Sequence, residues 1–224
     1  MMQRFFDMIF SFLALAVLSP ILLTVALILK LTGNKVFYRQ KRVGFAGEIF
    51  DVYKFTTMIE NSENMGSGTI TLKNDVRVLP IGKILRKTKL NELPQLLNIL
   101  KGDMSVIGPR PQDIIGFNAF SKVEQQIIIQ VRPGLSGVGP IFFRDEDEIM
   151  ERAYTKDKKM FYDEHIAPYK GEIEAWYVNN KNIYLYFKLI VMTIYVVLCP
   201  RSKVNYLKTF KAFPTPPKEL ALTL

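Results

Sequence analysis

Residues 8–29, MIFSFLALAVLSPILLTVALIL, decide the fold of the N-terminal region because they contain no charged side chain. At a helical rise of about 1.5 Å per residue they would extend roughly 33 Å, which is enough to cross the hydrocarbon core of a bilayer once. A cleaved signal peptide is the alternative. It is disfavoured because the apolar run is longer than a typical signal-peptide core, and because no small-residue cleavage site precedes the basic residues that begin at Lys35.

Ser19 and Pro20 lie near the middle of this run. Pro20 lacks the amide that would bond to the carbonyl of Ala16, so the helix is expected to bend there, and the Ser19 hydroxyl can satisfy the freed backbone group. Two topologies remain open: a kinked helix that crosses the membrane, and a re-entrant helix with both ends on one face. Basic residues follow the run more heavily than they precede it, which places the following domain in the cytoplasm.

The composition of the whole chain limits its class. The 224 residues carry a formal net charge of +9 and are 49% hydrophobic, so the chain can form a core and is not disordered. The positive charge suits polyanions, namely nucleic acid, phosphorylated small molecules or an anionic membrane surface. A single cysteine excludes an intrachain disulfide framework and a cysteine-based zinc site, and a single histidine leaves little room for Ser-His catalysis.

After the apolar run, the sequence predicts helices with a small sheet. Residues 36–53 alternate about a turn at residues 44–47, which predicts a β-hairpin. A helix is expected from Pro80, and another over residues 91–101 with Asn91 as its N-cap and Gly102 at its end. The leucines at 93, 96, 97 and 100 would form its buried face. Further helices are expected over residues 121–131 and 145–152, and a flexible loop over residues 61–68. Residues 184–198 are short for a membrane span and predict an interfacial or core helix.

Polar residues are densest over residues 75–110. The basic members are Arg77, Lys83, Arg86, Lys87, Lys89, Lys101 and Arg110, and the acidic members are Asp75, Glu92 and Asp103. Basic residues at a helix start favour phosphate, and the carboxylates could help to hold Mg²⁺. The alternative is a helix with a solvated basic face, which spacing alone does not separate from a phosphate site. Nucleic acid is disfavoured because aromatic interleaving and known DNA-binding patterns are missing, and lipid headgroups fit the basic charge better.

Several motifs, in the same order along the chain, identify a family resemblance. They are Ser19-Pro20, residues 39–44 (RQKRVG), 53–55 (YKF), 74–77 (NDVR), 91–111 (NELPQLLNILKGDMSVIGPRP) and 132–137 (RPGLSG). Together they resemble the signature of the bacterial sugar transferases, the small monotopic phosphoglycosyl transferases. The resemblance covers roughly residues 5–198, almost the whole chain, and so many motifs in one order make it specific.

The resemblance implies an activity. Such enzymes move a sugar-1-phosphate from a nucleotide sugar, usually a UDP-sugar, to undecaprenyl phosphate at the cytoplasmic face of the bacterial inner membrane. The product opens the assembly of exopolysaccharide, lipopolysaccharide or another glycoconjugate. The family uses Mg²⁺ and an Asp-Glu pair whose Asp forms a covalent phosphosugar intermediate, so that a carboxylate nucleophile divides one phosphoryl transfer into two. The implied partners are the nucleotide sugar, the polyprenyl phosphate and membrane lipids, without nucleic acid.

The resemblance also implies a fold and its division into domains. The expected class is mainly α with a small β-hairpin (α+β), a re-entrant N-terminal membrane helix broken at Ser19-Pro20, and amphipathic interfacial helices. Residues 1–32 would form the re-entrant helix, residues 33–200 the cytoplasmic transferase domain, and residues 201–224 a loose C-terminal tail.

The main departure from the family is at residue 91, where Asn91 precedes Glu92 in place of the expected Asp-Glu. An amide is a poor nucleophile and a poorer Mg²⁺ ligand than a carboxylate. Three explanations compete: Glu92 acts as nucleophile in a working variant, the chain is inactive and serves to bind, or Asn91 is an introduced substitution that stops turnover. We favour a natural working variant because the surrounding motif is intact.

Smaller departures occur at Thr56, where a basic residue usually follows the Tyr-Lys-Phe motif, and at Tyr186, where an acidic residue is expected. Glu172, Glu174 or Asp163 could compensate for the acidic residue that Tyr186 replaces. The predicted site is nevertheless well defined. Asn91 and Glu92 are assigned to catalysis and to Mg²⁺. The residues assigned to substrate phosphates are Arg77, Arg86, Arg110, Lys54 and Arg42. The functional alternative is a catalytically impaired, membrane-bound homologue or scaffold.

Overall fold

The computed structural model describes residues 2–62, 75–144, 146, 149–150, 158–199 and 206–221. Its first element is helix α1, Met2–Leu31, the one helix among these residues that is long and apolar enough to cross a membrane. Its buried positions, Asp7, Ser11, Val25 and Leu29, recur at helical spacing and lie against the rest of the protein. Helix α1 therefore packs along the domain near both of its ends.

The opposite face of α1 is apolar and exposed over the whole length of the helix, as the exposed positions Phe5, Phe12, Val17, Leu23 and Leu31 show. A contiguous apolar surface of this size marks an interaction site, and for a long apolar helix the natural partner is a lipid phase.

Helical structure continues through Ser19-Pro20 without interruption, although the family resemblance implies a break there. The physical reason is local compensation. The Ser19 hydroxyl donates to the carbonyl oxygen of Ala16 at 2.8 Å, and this is the acceptor that Pro20 leaves without its amide. The predicted role of Ser19 is confirmed.

The predicted hairpin is present. Strands β1 (Phe37–Val43) and β2 (Ile49–Phe55) pair antiparallel, with Gln40 opposite Val52 and Tyr38 opposite Lys54. Because side chains alternate between the two faces of a strand, Gln40, Arg42 and Lys54 lie on one face of the hairpin. This face carries part of the candidate site.

Helix α2 (Pro80–Lys87) begins at its proline, as predicted. A 3₁₀ turn, Leu90–Glu92, and helix α3, Gln95–Lys101, follow it. The prediction that Asn91 caps α3 is wrong, since the helix starts after Pro94, and Asn91 lies in the 3₁₀ turn that follows left-handed Lys89 (φ 59°). Gly102 ends α3 in the left-handed conformation (φ 103°), as predicted.

The buried face of α3 also differs from the prediction in part. Leu96 is buried, but Leu97 is 43% exposed and Asn98 is fully buried. The cause is the position of α3 beside β2. The Tyr53 amide donates to Asn98 Oδ1 at 3.0 Å, and Asn98 Nδ2 donates to the Asp51 carbonyl at 2.7 Å. The Asn98 side chain thus satisfies two backbone groups at the outer edge of β2. The side of α3 that carries Asn98 is therefore buried against this strand.

A second pairing was not predicted. Strand β3 (Ser105–Ile107) and strand β4 (Gly134–Ser136) form a short parallel pair. The two backbone segments approach closely just after β3, where a Cβ on Gly134 would collide with the backbone of Gly108. The Gly108-Pro109-Arg110 turn is therefore anchored against the start of β4.

The next helical elements along the chain lead into the main core, and the later ones contribute most of its buried residues. These elements are α4 (Ile114–Asn118), α5 (Lys122–Ile128), α6 (Val138–Phe142), α7 (Lys158–Phe161), a π-helical turn (Tyr162–Ile166), α8 (Ala167–Asn180) and α9 (Ile183–Leu198). Helix α5 confirms the helix predicted over residues 121–131 in its first part, and Ser121 and Glu124 form a capping box at its start. Helix α9 buries Leu185 and Leu189 but exposes Val191 and Leu198, so it has both a core face and an exposed apolar face.

The prediction of a loose C-terminal tail is wrong for residues 206–221. Helices α10 (Tyr206–Thr209) and α11 (Lys218–Ala221) lie in this segment. Phe210 and Phe213, between the two helices, are 5% and 7% exposed and belong to the main core. Their burial offsets the ordering of a polar, proline-containing segment. Most of the predicted loop at residues 61–68, and most of the helix predicted over residues 145–152, lie outside the described residues.

Candidate active site

The centre of the candidate site is the turn that carries Asn91 and Glu92. The Glu92 amide donates to the Lys89 carbonyl at 3.1 Å and closes the turn. Lys89 adopts positive φ, which is uncommon for a residue with a Cβ and often marks functional loops. The turn lies between α2 and α3 and directs the Glu92 carboxylate toward Arg110.

Glu92 and Arg110 form an ion pair. Arg110 Nη2 donates to Glu92 Oε1 at 3.0 Å, and the Arg110 side chain keeps 38% of its surface exposed while that of Glu92 keeps 17%. Burial alone would raise the pKa of Glu92, but the positive charges of Arg110 and Lys54 outweigh it and lower this pKa to about 2. Glu92 is therefore ionised at neutral pH, and Arg110 remains partly accessible to a ligand.

Two further cations face the same region from the hairpin. Lys54 Nζ lies 3.4 Å from Gln40 Oε1, and Arg42 Nη2 donates to the same oxygen at 2.7 Å. Burial lowers the pKa of Lys54 to about 8, and the charges of Arg110, Arg42 and Arg86 act in the same direction against Glu92. This mutual influence places the predicted phosphate ligands Arg42, Lys54, Arg86 and Arg110 in one electrostatic neighbourhood.

Arg42 is oriented by the segment that follows Arg110. Its Nη1 donates to the Pro111 carbonyl at 3.4 Å and lies 3.6 Å from Asp113 Oδ2. Burial lowers the pKa of Arg42, and Asp113 opposes this effect. The hairpin and the Gly108-Pro109-Arg110-Pro111 turn are thus tied together by the same side chain that contributes positive charge.

Glu174, on α8, holds the backbone of the Arg110 turn in place. Its Oε1 accepts the Arg110 backbone amide at 3.0 Å, and a Cβ on Gly139 would collide with this carboxylate. Glu174 is 1% exposed, and burial raises its pKa to about 7 against the opposing effect of the Arg110 amide. A buried carboxylate that receives backbone amides fixes the position of the loop which carries them.

Arg77 is placed elsewhere. Its Nε donates to Asp75 Oδ1 at 2.9 Å and its Nη2 donates to Asp75 Oδ2 at 2.6 Å, while Nη1 donates to the Ser62 carbonyl at 2.7 Å. Its side chain is 5% exposed. Among the described residues these contacts hold the connection that precedes α2, and they do not join Arg77 to the Glu92–Arg110 pair.

Asn91 carries an unusual atom. Its side-chain oxygen Oδ1 is buried and has no hydrogen-bond partner in the part of the chain that the structure describes. A buried acceptor without a donor is costly, which is the expected condition of a group that receives a ligand or a cation.

The donor set can be tested against Mg²⁺. Within the described ranges, no three His, Cys, Asp or Glu residues cluster as metal ligands. Mg²⁺, however, needs one or two protein oxygens and completes its shell with water and phosphate oxygens. The ionised Glu92 carboxylate and the unpaired Asn91 oxygen supply such a minimal set.

The site adjoins the C-terminal half of α1. Leu85 and Phe55, the chain neighbours of Arg86 and Lys54, pack with Val25 and Leu29 of that helix in one apolar cluster. The elements that carry Arg86 and Lys54 therefore pack on the long apolar helix through the residues next to these cations.

A larger cleft, of about 580 Å³, lies beside the other face of the hairpin. Its lining alternates cations and carboxylates, namely Lys41, Asp51, Lys101, Asp103 and Arg132 among others. Because its charges are balanced, it is less suited to a diphosphate than the Arg110 cluster, and it does not include Glu92.

Sequence reasoning missed Gln40 as a site residue, and it named Glu174 only as one of three carboxylates that could compensate for Tyr186. Gln40 belongs to the RQKRVG motif. Its position on the same hairpin face as Arg42 and Lys54 could have identified it. Glu174 carried no signal of this kind, because its contact with Arg110 joins residues far apart in the chain.

Fold and site together define a class: a mainly helical protein in which a cationic, phosphate-suited site lies beside a long apolar helix. The comparison with known families agrees with this class, because the family model described as "Bacterial sugar transferase" matches residues 1–200. The chain belongs to the bacterial sugar transferase family.

Individual relatives support the same assignment. The chain is 33% identical over 198 residues to the uncharacterized sugar transferase EpsL of Bacillus subtilis, a match that covers 88% of this chain and 87% of the relative. It is 35% identical to the UDP-glucose:undecaprenyl-phosphate glucose-1-phosphate transferase of Klebsiella pneumoniae, over 86% of this chain and 39% of that protein. It is 33% identical to the UDP-N-acetylgalactosamine-undecaprenyl-phosphate N-acetylgalactosaminephosphotransferase of Aeromonas hydrophila, over 88% and 43%. The chain thus spans less than half the length of the two relatives with named substrates.

Proposed function

We propose that this chain transfers a sugar-1-phosphate from a UDP-sugar to undecaprenyl phosphate and so initiates the synthesis of a bacterial polysaccharide or glycoconjugate. The observation that carries the proposal is the Glu92–Arg110 pair, surrounded by Arg42, Lys54 and Arg86 and adjacent to α1. Named relatives that act on undecaprenyl phosphate support the same reaction. Those two relatives match at similar identity but are named for different sugars, so this similarity leaves the sugar open.

The cationic side chains explain how the site would hold its substrates. A UDP-sugar and a polyprenyl phosphate bring several negative charges together, and catalysis of phosphoryl transfer depends on positioning and on offsetting that charge. Arg110 offers paired donors and is partly exposed, while Glu174 keeps its backbone in place. Lys54 and Arg42 add charge from the hairpin face.

Mg²⁺ is part of the proposal. Glu92 and the side-chain oxygen of Asn91 would hold it, and when bound it would supply positive charge to the diphosphate.

Asn91 cannot form the acyl phosphate expected of an Asp at this position. In the working-variant form of the proposal, a Glu92 oxygen attacks the sugar-bearing phosphorus, and UMP leaves with the electron pair of the broken phosphorus–oxygen bond. An oxygen of undecaprenyl phosphate then attacks the same phosphorus and releases the Glu92 carboxylate. Arg110 must transfer its hydrogen bond from Glu92 to a substrate phosphate before the first step, because a carboxylate paired at 3.0 Å is a weakened nucleophile.

The membrane placement is also proposed. Residues near both ends of α1 contact the same domain: Asp7 bonds to Ser105 and Val106, and Leu29 packs with Leu85. A helix crossing perpendicular to the membrane would separate its two ends by the bilayer thickness, about 30 Å. The contacts therefore favour a continuous helix, bent at Pro20, whose two ends both stay on the cytoplasmic face of the inner membrane, with α9 beside it at the interface.

A second candidate function rests on Asn91 itself: a catalytically impaired homologue that binds nucleotide sugar or acts as a membrane scaffold. The experiment that separates the two measures UMP release from a panel of UDP-sugars, with undecaprenyl phosphate and Mg²⁺, for the full chain in lipid nanodiscs. Release from the wild-type chain supports the working variant. Release that appears after Asn91→Asp alone supports the impaired homologue, and release from neither protein contradicts the transferase proposal.

Topology has its own test. Cysteines introduced at Gln3 and Thr32, in a Cys199→Ser background, should both react with an impermeant thiol reagent from the cytoplasmic side. Labelling of the two positions from opposite sides of the membrane would contradict the re-entrant arrangement.

A further inference from the structure

A buried carboxylate lies in the apolar helix, away from the Glu92–Arg110 pair. Asp7 of α1 is 2% exposed although it belongs to a helix whose outer face is apolar. Its Oδ1 accepts the Val106 amide at 2.9 Å, and its Oδ2 accepts the Ser105 hydroxyl at 2.8 Å. A buried charge is tolerated when several donors surround it, and Asp7 meets that condition.

Tyr186 of α9 supplies the third donor. Its hydroxyl, in a side chain that is 1% exposed, donates to Asp7 Oδ1 at 2.9 Å. This contact explains Tyr186, where the family resemblance predicts an acidic residue. A second carboxylate at this place would bring two acceptor groups together, whereas a phenol completes the set of donors.

Gln3, one turn before Asp7, extends the same contact. Its Nε2 donates to Ser105 Oγ at 2.8 Å and to the Ile107 carbonyl at 3.0 Å, and Tyr177 OH donates to that carbonyl at 3.3 Å. Polar groups of α1, α8 and α9 thus meet on strand β3 and satisfy both its side chains and its backbone.

Strand β3 leads directly to the site. Ser105–Ile107 is followed by Gly108, Pro109 and Arg110, and Gly108 is held by its amide, which donates to the Ser136 carbonyl at 2.9 Å. Prolines on both sides of Arg110 limit the freedom of the turn. A displacement of β3 is therefore transmitted to Arg110 over a short and stiff connection.

We propose that Asp7 is a positioning residue, which couples the seating of α1 against the domain to the placement of Arg110. Because α1 also carries the exposed apolar face, its insertion into the lipid phase would occur together with the ordering of the Arg110 turn. The catalytic consequence rests on the proposed function, whereas the structural coupling does not.

Hydrogen exchange tests the coupling without any activity. The full chain in nanodiscs is compared as wild type, Asp7→Asn, Tyr186→Phe and Ser11→Ala. Ser11 is the matched control, because it lies one turn away on the same buried stripe and its hydroxyl bonds to its own helix, at the Asp7 carbonyl. Asp7→Asn should accelerate exchange of the Val106, Gly108 and Arg110 amides by about tenfold or more, Tyr186→Phe should do so to a smaller extent, and Ser11→Ala should not.

Turnover supplies the second readout. Asp7→Asn should lower kcat for UMP release by roughly 10- to 100-fold, because small displacements of a phosphate ligand are costly for catalysis. In an Arg110→Lys background the same change should cost less than about twofold more, because the effect of Asp7 passes through Arg110.

Unchanged exchange at residues 106–110 in Tyr186→Phe and in any folded Asp7→Asn protein would overturn the coupling. A full Asp7 effect in the Arg110→Lys background would overturn it as well. If the wild-type chain releases no UMP, the proposed function is at fault, and the exchange comparison still decides the role of Asp7.

Discussion

The turn that carries Arg110 and the connection that carries Arg77 make an instructive pair. Both arginines stand in motifs of the same family resemblance, and both are predicted to bind phosphate. Arg110 meets Glu92 through one N–H and keeps 38% of its side chain exposed. Arg77 grips Asp75 with two side-chain nitrogens and keeps 5% exposed. An arginine with unused donors and access can receive a ligand, whereas one enclosed by a carboxylate holds its own chain together.

The largest effect is expected at Glu92, since it is the catalytic carboxylate of the Arg110 region. Glu92→Gln preserves shape but removes the charge, and it should lower kcat for UMP release by about 10⁴-fold or more, as removal of a nucleophile does. The matched control is Asp75→Asn in the Arg77 region, which should change kcat far less. Full activity of Glu92→Gln would show that another group acts as nucleophile.

Arg110→Ala should come next. Loss of a donor that offsets charge on a transferring group costs roughly 10²- to 10³-fold in kcat. Arg39→Ala is the control for charge, because Arg39 is an exposed hairpin residue on the face opposite Arg42 and Lys54. Steady-state kinetics with a UDP-sugar and undecaprenyl phosphate measure both variants, and equal losses would remove the distinction between the site and the general surface charge.

A smaller and pH-dependent effect is expected at Lys54. Burial lowers its pKa to about 8, so the ammonium that attracts phosphate is present below that pH and is lost above it. Affinity for UDP should therefore fall several-fold between about pH 7 and about pH 9. Lys54→Arg keeps its charge throughout this range and should flatten the profile, which calorimetric titration would measure. A wild-type profile as flat as that of the variant would contradict the assignment.

The smallest catalytic effect is expected at Arg77. Arg77→Ala should lower the melting temperature, because it removes the arginine that pairs with the buried Asp75 carboxylate, while kcat changes by less than about threefold. Thermal unfolding and UMP release, measured on the same preparation, check the two halves of this prediction. A loss of kcat as large as that of Arg110→Ala would return Arg77 to the site.

Much of the architecture was predictable because it follows from local patterns. The long apolar helix, the hairpin and the helix that begins at Pro80 each carry a strong periodic or turn signal. The compensation of Pro20 by Ser19 also involves neighbours in sequence. The prediction that Asn91 caps α3 is wrong because the left-handed Lys89 and Pro94 shift the start of α3 toward the C-terminus, to Gln95.

The site was predictable in its composition but not in its connections. The motifs identified Glu92, Arg110, Lys54 and Arg42, which the fold brings together. Contacts between distant parts of the chain, such as Glu174 with Arg110 and Asp7 with Tyr186, depend on packing that no local pattern encodes. The same limit applies to Arg77, whose contacts among the described residues go to Asp75 and Ser62 and not to the Glu92–Arg110 pair.

The most direct measurement of the central claim is the affinity of the full chain in nanodiscs for UDP, which needs no turnover and so does not depend on whether Asn91 permits catalysis. If the Glu92–Arg110 region holds the diphosphate, Arg110→Ala should weaken UDP binding by about tenfold or more, while folded Arg77→Ala binds as the wild type does. Equal weakening by both substitutions, or none by either, would contradict the account.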